Sequence, residues 1–267
     1  MGPYSDLDRP PLSEGRLRKA LVVPDGLWTD LRIVAETAST NADLVAAARA
    51  GAPEGTVLVA EQQTGGRGRL DRQWVSPPRA GLTFSVLLRP AVPPARYGWL
   101  PLLAGVALAE AVRRIAELDA ELKWPNDLLA GDRKIAGILA EGVPDGAVVV
   151  GIGLNTTLRA NELPVPQAGS LALAGAACSD RDPLLRAILR GLARWYQAFQ
   201  ADPAGSGLRE AYALHCGTLG RDVRVHLPGG RHLDGRAEGV DADGRLLVVP
   251  VDGHPTAVAA GDVVHLR

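Results

Sequence analysis

Cysteine is nearly absent from this chain: Cys178 and Cys216 are the only two in 267 residues. Two thiols that far apart offer neither metal-ligand spacing nor a disulfide framework, which points to a reducing, cytoplasmic setting. Both read as small buried apolar residues. Long apolar runs are missing too. No segment approaches the ~20 apolar residues that a membrane-spanning helix requires. The opening "MGPYSDLDRPPLSEGRLRK" has no apolar core for a signal peptide, and its Met-Gly start has no second membrane signal beside it. Net charge is −1, which leaves no broad electrostatic footprint for DNA or RNA. Histidine is confined to the last quarter: His215, His226, His232, His254 and His265 are all there are. That argues against a histidine-based triad in the main part of the chain. No G-x-S-x-G elbow and no zinc-spaced cluster is present. Chemistry here would rest on cations and hydrogen bonds, which suits phosphoryl or adenylyl transfer.

Lysine is scarce as well. Of 29 basic residues only Lys19, Lys123 and Lys134 are lysines. Two of them fall in one polar motif; either a compact ammonium is wanted there, where a guanidinium fork would not fit, or the pairing is chance in an arginine-rich sequence. The rest of the composition, 46% apolar and 22% charged, is that of an ordinary soluble globular protein. The length allows a large domain, or a larger and a smaller one.

Periodicity predicts strands over 31–36, 55–62, 81–90 and 147–155, and helices over 39–51, 96–118, 182–200 and 207–216. In 81–90, Leu82, Phe84, Val86 and Leu88 alternate, as in a half-buried strand. Residues 120–142 read as strand, turn, strand, with Gly131-Asp132 as the hairpin signal. From Gly217 the texture changes to short β runs between Pro-Gly-Gly and Asp-Gly turns, as in a small barrel of about five strands. The expected organisation is an arm at 1–27, a mixed α and β domain at 28–216 and a β domain at 217–267.

Four polar clusters fall at strand ends or in the loops that follow: "STN" (39–41), "QQTGGRGR" (62–69), "KWPND" with "DRKIAG" (123–137) and "GIGLN" (151–155). The glycines of the second let backbone N–H groups approach an anion and let a loop fold over a ligand. Arg67 and Arg69 would point the same way in an extended loop and straddle a phosphate; a plain surface hairpin is the alternative. This is no Walker loop, because "GK[ST]" is missing. "GIGLN" is a poor dinucleotide fingerprint, since Thr156 replaces the third glycine. It reads equally as a strand end with glycines packed on a neighbour, or as a place where Asn155 meets a ligand. In "KWPND", Asp127 could hold Mg²⁺, or form a surface pair with a lysine. The hairpin returns Lys134 to the Asn126–Asp127 end, so both lysines would face one pocket. "STN" doubles as a helix N-cap.

These clusters, in this order and with the appended β segment, resemble the biotin protein ligases over about residues 28–267. The resemblance implies an α+β fold: a mixed, mostly antiparallel sheet flanked by helices, as in a class II synthetase-like catalytic domain, with a C-terminal SH3-like β-barrel. It implies two steps, biotin plus MgATP giving biotinyl-5′-AMP and pyrophosphate, then transfer to a lysine of a biotin carboxyl carrier domain of acyl-CoA or pyruvate carboxylases with release of AMP. ATP and Mg²⁺ would be co-substrate and ion, with no tightly bound prosthetic group.

By similarity, Ser39, Thr40, Asn41 and Gln63 would bind biotin, with Gly66, Arg67, Gly68, Arg69 and Gly137 lining its loop and pocket. Lys134 would contact carboxylate and phosphate and, with Arg69, act in catalysis. Arg67, Arg69, Trp74, Lys123, Asn126, Asp127 and Asn155 would serve the nucleotide, and Asp127 the metal. Trp74 would pack on the closed loop or under adenine. The glycine-rich stretch would be a lid, poorly ordered without ligand, that excludes water from a labile mixed anhydride. The prolines of 157–173 suggest mobility there. About 27 residues precede the pattern, too few for the helix-turn-helix that some members carry, so the expectation is a ligase with no DNA partner and no repressor activity. It would act as a monomer or a weak, ligand-induced homodimer. Two rivals remain, a lipoate ligase or octanoyltransferase of the same fold, and a non-catalytic ligand sensor. "GRGR" and "KWPND" favour biotin over the first, and the neutral charge disfavours the second.

Overall fold

The computed structural model describes residues 9–69, 72–251 and 253–266. The chain enters through helix α1 (Glu14–Leu21), capped by Ser13, whose hydroxyl accepts from the Arg16 N–H. Strand β1 (Asp30–Val34) and helix α2 (Thr40–Arg49) follow, α2 opening on the N-cap Ser39. Next come β2 (Thr56–Ala60), the two short strands β3 (Gly66–Arg67) and β4 (Gln73–Trp74), and β5 (Gly81–Leu88). Helix α3 (Trp99–Ala111) leads to β6 (Glu121–Lys123), β7 (Asp127–Ala130), β8 (Arg133–Gly142) and β9 (Val148–Asn155). Helices α4 (Arg181–Ala201) and α5 (Leu208–His215) precede the closing strands β10 (Asp222–His226), β11 (His232–Val240), β12 (Leu246–Val249), β13 (Thr256–Val258) and β14 (Asp262–His265).

Seven strands form one sheet in the order β1-β2-β5-β9-β8-β7-β6. Only β1 and β2 run parallel; the other neighbours are antiparallel. The last five strands form an antiparallel sheet in the order β13-β12-β11-β10-β14. The mixed, mostly antiparallel fold expected from the sequence is therefore present. The C-terminal part has the five strands expected of a barrel, but among the described residues β13 and β14 do not pair, so the sheet is open.

Three local expectations need correction. β5 is buried along its whole length and not on one face alone. Helices α3 and α4 cover one side, while α2 covers the other through a second apolar cluster of Leu44, Ala48, Leu58, Leu87 and Val149. Residues 120–142 make three strands, not two. Pro125 lacks the N–H to continue a ladder, the Trp124–Pro125 peptide is cis, and the chain reverses so that Lys123 pairs with Asp127. The long helix over 96–118 is α3 alone, led in by a 3₁₀ turn at Pro94–Gly98 and left through a π-helical turn at Val112–Ala116. Gly98 marks the entry, because a Cβ there would stand 2.3 Å from the Asp243 carbonyl oxygen.

The two sheets share one continuous apolar core, with Trp99 edge-on to Tyr212 at 6.1 Å and Val223, Val225 and Leu246 joining the cluster. The segment expected to be an arm also belongs to it, through the buried Leu17 and Leu21 of α1. Residues ahead of α1 are held by a buried pair. Arg181 and Glu61, only 6% and 9% exposed, meet beneath them. The Leu12 N–H donates to the free oxygen of Glu61, and Arg181 donates to the Pro10 carbonyl. Removing one partner strands the other charge in the interior. Arg181→Ala is therefore expected to cost about 3–5 kcal/mol, read from urea unfolding. A loss under about 1 kcal/mol, the level of a surface pair, would show that the pair holds nothing.

Candidate active site

The register of the large sheet builds the site. One cross-strand row runs Thr83, Gly153, Gly137, Asp127, Lys123; the next runs Ser85, Gly151, Leu139. In-register residues share a face. The glycines leave a trough there, and side chains from elsewhere fill it. A Cβ on Gly153 would lie 2.4 Å from Trp74 Cε2, and one on Gly151 2.1 Å from Asn41 Oδ1. A Cβ on Gly137 would touch both Lys134 and Trp74 at 3.3 Å. Glycine inside a strand marks such close approach, so alternation in "GIG" is the sequence signal that identifies this floor.

At the β5 side stands a chain of hydrogen bonds. Gln63 Oε1 accepts from the Thr40 N–H at 2.8 Å and lies 3.0 Å from the Thr40 hydroxyl. Thr40 Oγ1 lies 2.7 Å from Ser85 Oγ, which in turn lies 2.6 Å from Asn41 Oδ1. The Asn41 amide donates to Glu141 and to the Leu139 carbonyl. Ser85 and Glu141 escaped the sequence analysis, since neither lies in any of the four polar clusters.

At the β7 side are the cations. Lys134 Nζ sits 2.6 Å from Asp127 Oδ1 and 5.9 Å from the centre of the Trp74 ring. That oxygen is buried, and the Lys134 ammonium is the group that meets it. Lys123 borders the same cavity. Asn126 is clamped to β8, its backbone and side chain both bonded to Ile138. Asn155 donates to the Gly169 carbonyl, while its own buried carbonyl oxygen has no donor among the described residues. Segment 157–173, expected to be mobile, is tied here at Lys134: the Lys134 N–H meets Gln167, and the Gly169 N–H meets Lys134.

The opening glycine-rich stretch is a small hairpin of β3 and β4, with Gly66 opposite Trp74. Arg67 is exposed at the cavity rim. Arg69 reaches the Gly261 carbonyl at 3.3 Å, and Arg72 pairs with Asp262. Burial pushes the Arg69 pKa down, against the pull of Asp262 and Asp127. Leu70 and Asp71, part of the stretch expected to be a poorly ordered lid, lie outside the described residues. The C-terminal sheet thus forms a wall of the site. A second link joins it to the "KWPND" turn: the Trp124 N–H donates to Thr218 Oγ1, which bonds His265 Nε2.

These groups enclose one cavity of about 710 Å³. Ser39, Thr40, Asn41, Gln63, Arg67, Gly68, Arg69, Trp74, Lys123, Asn126, Asp127, Lys134, Gly137 and Asn155 all border it, together with His226, Asp262, Val263 and Val264, which the sequence did not single out. Gly66 stands behind it, where a Cβ would strike the Trp74 carbonyl oxygen and the Gln63 amide. Among the described residues no group of three or more His, Cys, Asp or Glu side chains could cage a metal.

The chain matches the biotin/lipoate A/B protein ligase family over residues 35–155 and the biotin protein ligase C terminal domain over 218–266. It is 45% identical to a biotin–[acetyl-CoA-carboxylase] ligase of Mycobacterium tuberculosis, with 97% of each chain covered. It is 35% identical to a bifunctional ligase/repressor of Bacillus subtilis over 76% of this chain and 64% of that one. Among solved structures, the biotin protein ligase from Aquifex aeolicus in complex with biotin and ATP superposes with a TM-score of 0.74. That match has 29% identity and covers 90% of this chain and 100% of the other. A ligase from Leishmania major with biotinyl-5-AMP superposes with a TM-score of 0.60 at 25% identity, covering 87% of this chain and 99% of that one. The protein is therefore an enzyme of the ligase class, and it belongs to the biotin protein ligase family.

Two measurements test the geometry. Gly153→Ala must displace Trp74; the expected cost is about 1–3 kcal/mol of stability, with altered tryptophan emission. Unchanged emission would mean that Trp74 does not rest on this strand. Burial, with Lys123 and Arg221 adding like charge, holds the His265 pKa below its ordinary 6.5, and burial does the same for His215. The unfolded chain then binds protons more readily than the fold, so stability falls as pH drops below about 6.5. His265→Gln should flatten part of that slope between pH 7 and 5 in urea titrations and leave the part due to His215. An unaltered slope would show that His265 plays no part.

Proposed function

We propose that this chain catalyses the ATP-dependent attachment of biotin to a lysine of a biotin carboxyl carrier domain, through biotinyl-5′-AMP. The observation that carries the reading is a single cavity with two unlike sides: a chain of hydroxyls and amides at β5, and the Lys134–Asp127 pair beside Lys123 at β7. The first suits a small ring bearing both N–H and C=O, as biotin's ureido group does. The second suits two anions brought together.

In the first step a biotin carboxylate oxygen attacks the α-phosphorus and pyrophosphate leaves. Lys134 Nζ, resting on Trp74 and steered by Asp127, lies where it would bridge carboxylate and phosphate and neutralise both. Arg67 and Arg69 add positive charge from the hairpin, and Asn155 offers the nucleotide a carbonyl oxygen that has no donor among the described residues. In the second step the acceptor's amine attacks the biotinyl carbonyl and AMP leaves. The hairpin, held by Gly261 and Asp262, keeps water from the anhydride meanwhile. Mg²⁺ would be an ion carried by the phosphates and held by one carboxylate, Asp127, which borders the cavity beside Lys134. Bound there it would screen phosphate charge. The acceptors proposed are the carrier domains of acyl-CoA or pyruvate carboxylases, and the place of action is the cytoplasm. Among the described residues no helix is long and apolar enough to cross a membrane. Residues 28–216 would carry the chemistry, with 217–267 supplying the wall.

Incubation with MgATP, biotin and a carrier domain should add one biotin mass to the acceptor, and only with ATP. Equal labelling without ATP, or none at all, would sink the assignment. Lys134→Ala should lower pyrophosphate release by roughly a hundredfold or more while circular dichroism stays that of the parent. Unchanged release would remove Lys134 from the mechanism.

A further inference from the structure

Three close oxygen–oxygen contacts run in series at the β5 side of the cavity. They join Gln63 Oε1 to Thr40 Oγ1 at 3.0 Å, Thr40 Oγ1 to Ser85 Oγ at 2.7 Å, and Ser85 Oγ to Asn41 Oδ1 at 2.6 Å. Each needs a hydrogen. Only the two hydroxyls can supply one, because amide carbonyl oxygens only accept. Neither amide can be turned to offer a third. The Thr40 N–H requires an oxygen at Gln63, and the Asn41 NH₂ is committed to Glu141 and Leu139. The chain is one hydrogen short. If the central contact is kept, both hydroxyls point the same way: turned toward Asn41 they leave Gln63 Oε1 to the Thr40 N–H, and turned toward Gln63 they leave Asn41 Oδ1 without a donor.

Both terminal residues, Gln63 and Asn41, border the cavity. A donor there completes the series. When an N–H reaches Asn41 Oδ1, Ser85 turns its hydrogen to Thr40, and Thr40 turns its own to Gln63. One ligand N–H then satisfies three contacts, each polarising the next. Ser85 is the coupling element. It is fully buried on β5 and absent from the cavity lining, so it touches ligand only through Thr40 and Asn41.

We propose that Ser85 is a positioning residue that gives the cavity its preference for a ring bearing an N–H donor, by sharing hydrogens between Thr40 and Asn41. The proposal rests on the ligase reading, in which that ring is the ureido ring of biotin. Titration calorimetry on the full chain tests it, with biotin, with an analogue in which oxygen replaces both ring N–H groups, and with ATP.

Ser85→Ala should weaken biotin by roughly tenfold and the oxygen analogue far less, so that discrimination between the two narrows, with ATP affinity kept. Ser85→Cys, which fills the site with a somewhat larger atom that donates poorly, should behave like Ser85→Ala. Biotin affinity equal to the parent's in both variants would overturn the proposal. So would equal weakening of biotin and analogue, or a Cys variant that binds like the parent, since either makes Ser85 a packing residue. A parent protein that does not bind biotin would instead fail the ligase reading and remove this inference with it.

Discussion

Everything at the site depends on one backbone constraint, the antiparallel register that sets Gly153 opposite Gly137 and Gly151 opposite Leu139. Side-chain parity in a strand is strict, so a slip of one residue would turn both glycines to the other face. In the observed register they form a trough. Trp74 and Asn41, delivered from a hairpin and a helix start, can then lie against bare backbone. The same row places Asp127 and Lys123 at the trough's far end. The cation pair, the aromatic platform and the hydroxyl chain are spaced by sheet geometry, and no side chain has to find its position alone.

The two sides of the cavity solve different electrostatic problems. At β7, charge is kept available. Lys134 leans on an aromatic face and on one carboxylate, a pairing of modest strength for partly exposed groups. It can therefore be shared with incoming anions at small cost. At the β5 side hydroxyls and amides predominate, and Glu141 of β8 fixes the Asn41 amide. Selection there rests on the count of hydrogens, which a rigid helix cap and a buried strand hold constant. The Ser39 cap serves both ends of this logic, since it starts the helix and presents Thr40 and Asn41 to the trough.

Much of this was legible in the sequence. Alternation and turn residues located most strands and helices, and the four polar clusters do converge on one cavity. What stayed hidden was long-range. Ser85 looked like an ordinary position in a strand read as half-buried, because α2 covers its second face only in three dimensions. The third strand of 120–142 was masked by taking everything before the Gly131-Asp132 turn as one strand, though Pro125 is where the ladder must break. Glycines packed on a neighbour were one reading of "GIGLN", but that the neighbours are Trp74 and Asn41 was hidden, because both are far away in sequence. Asp262 and His265 carried no motif at all; their roles exist only because β14 lies against the hairpin and the "KWPND" turn.

That last placement has a consequence for how the molecule comes into being. The seven-stranded sheet is fully encoded by Asn155, but the wall that holds Arg69 and Arg72 arrives with Gly261 and Asp262, after two helices and four further strands. The residues of the floor are therefore made well before those of the closure, but the floor packs into one core with α4, α5 and the C-terminal sheet. Floor and closure thus become complete together, when the last strand has been added.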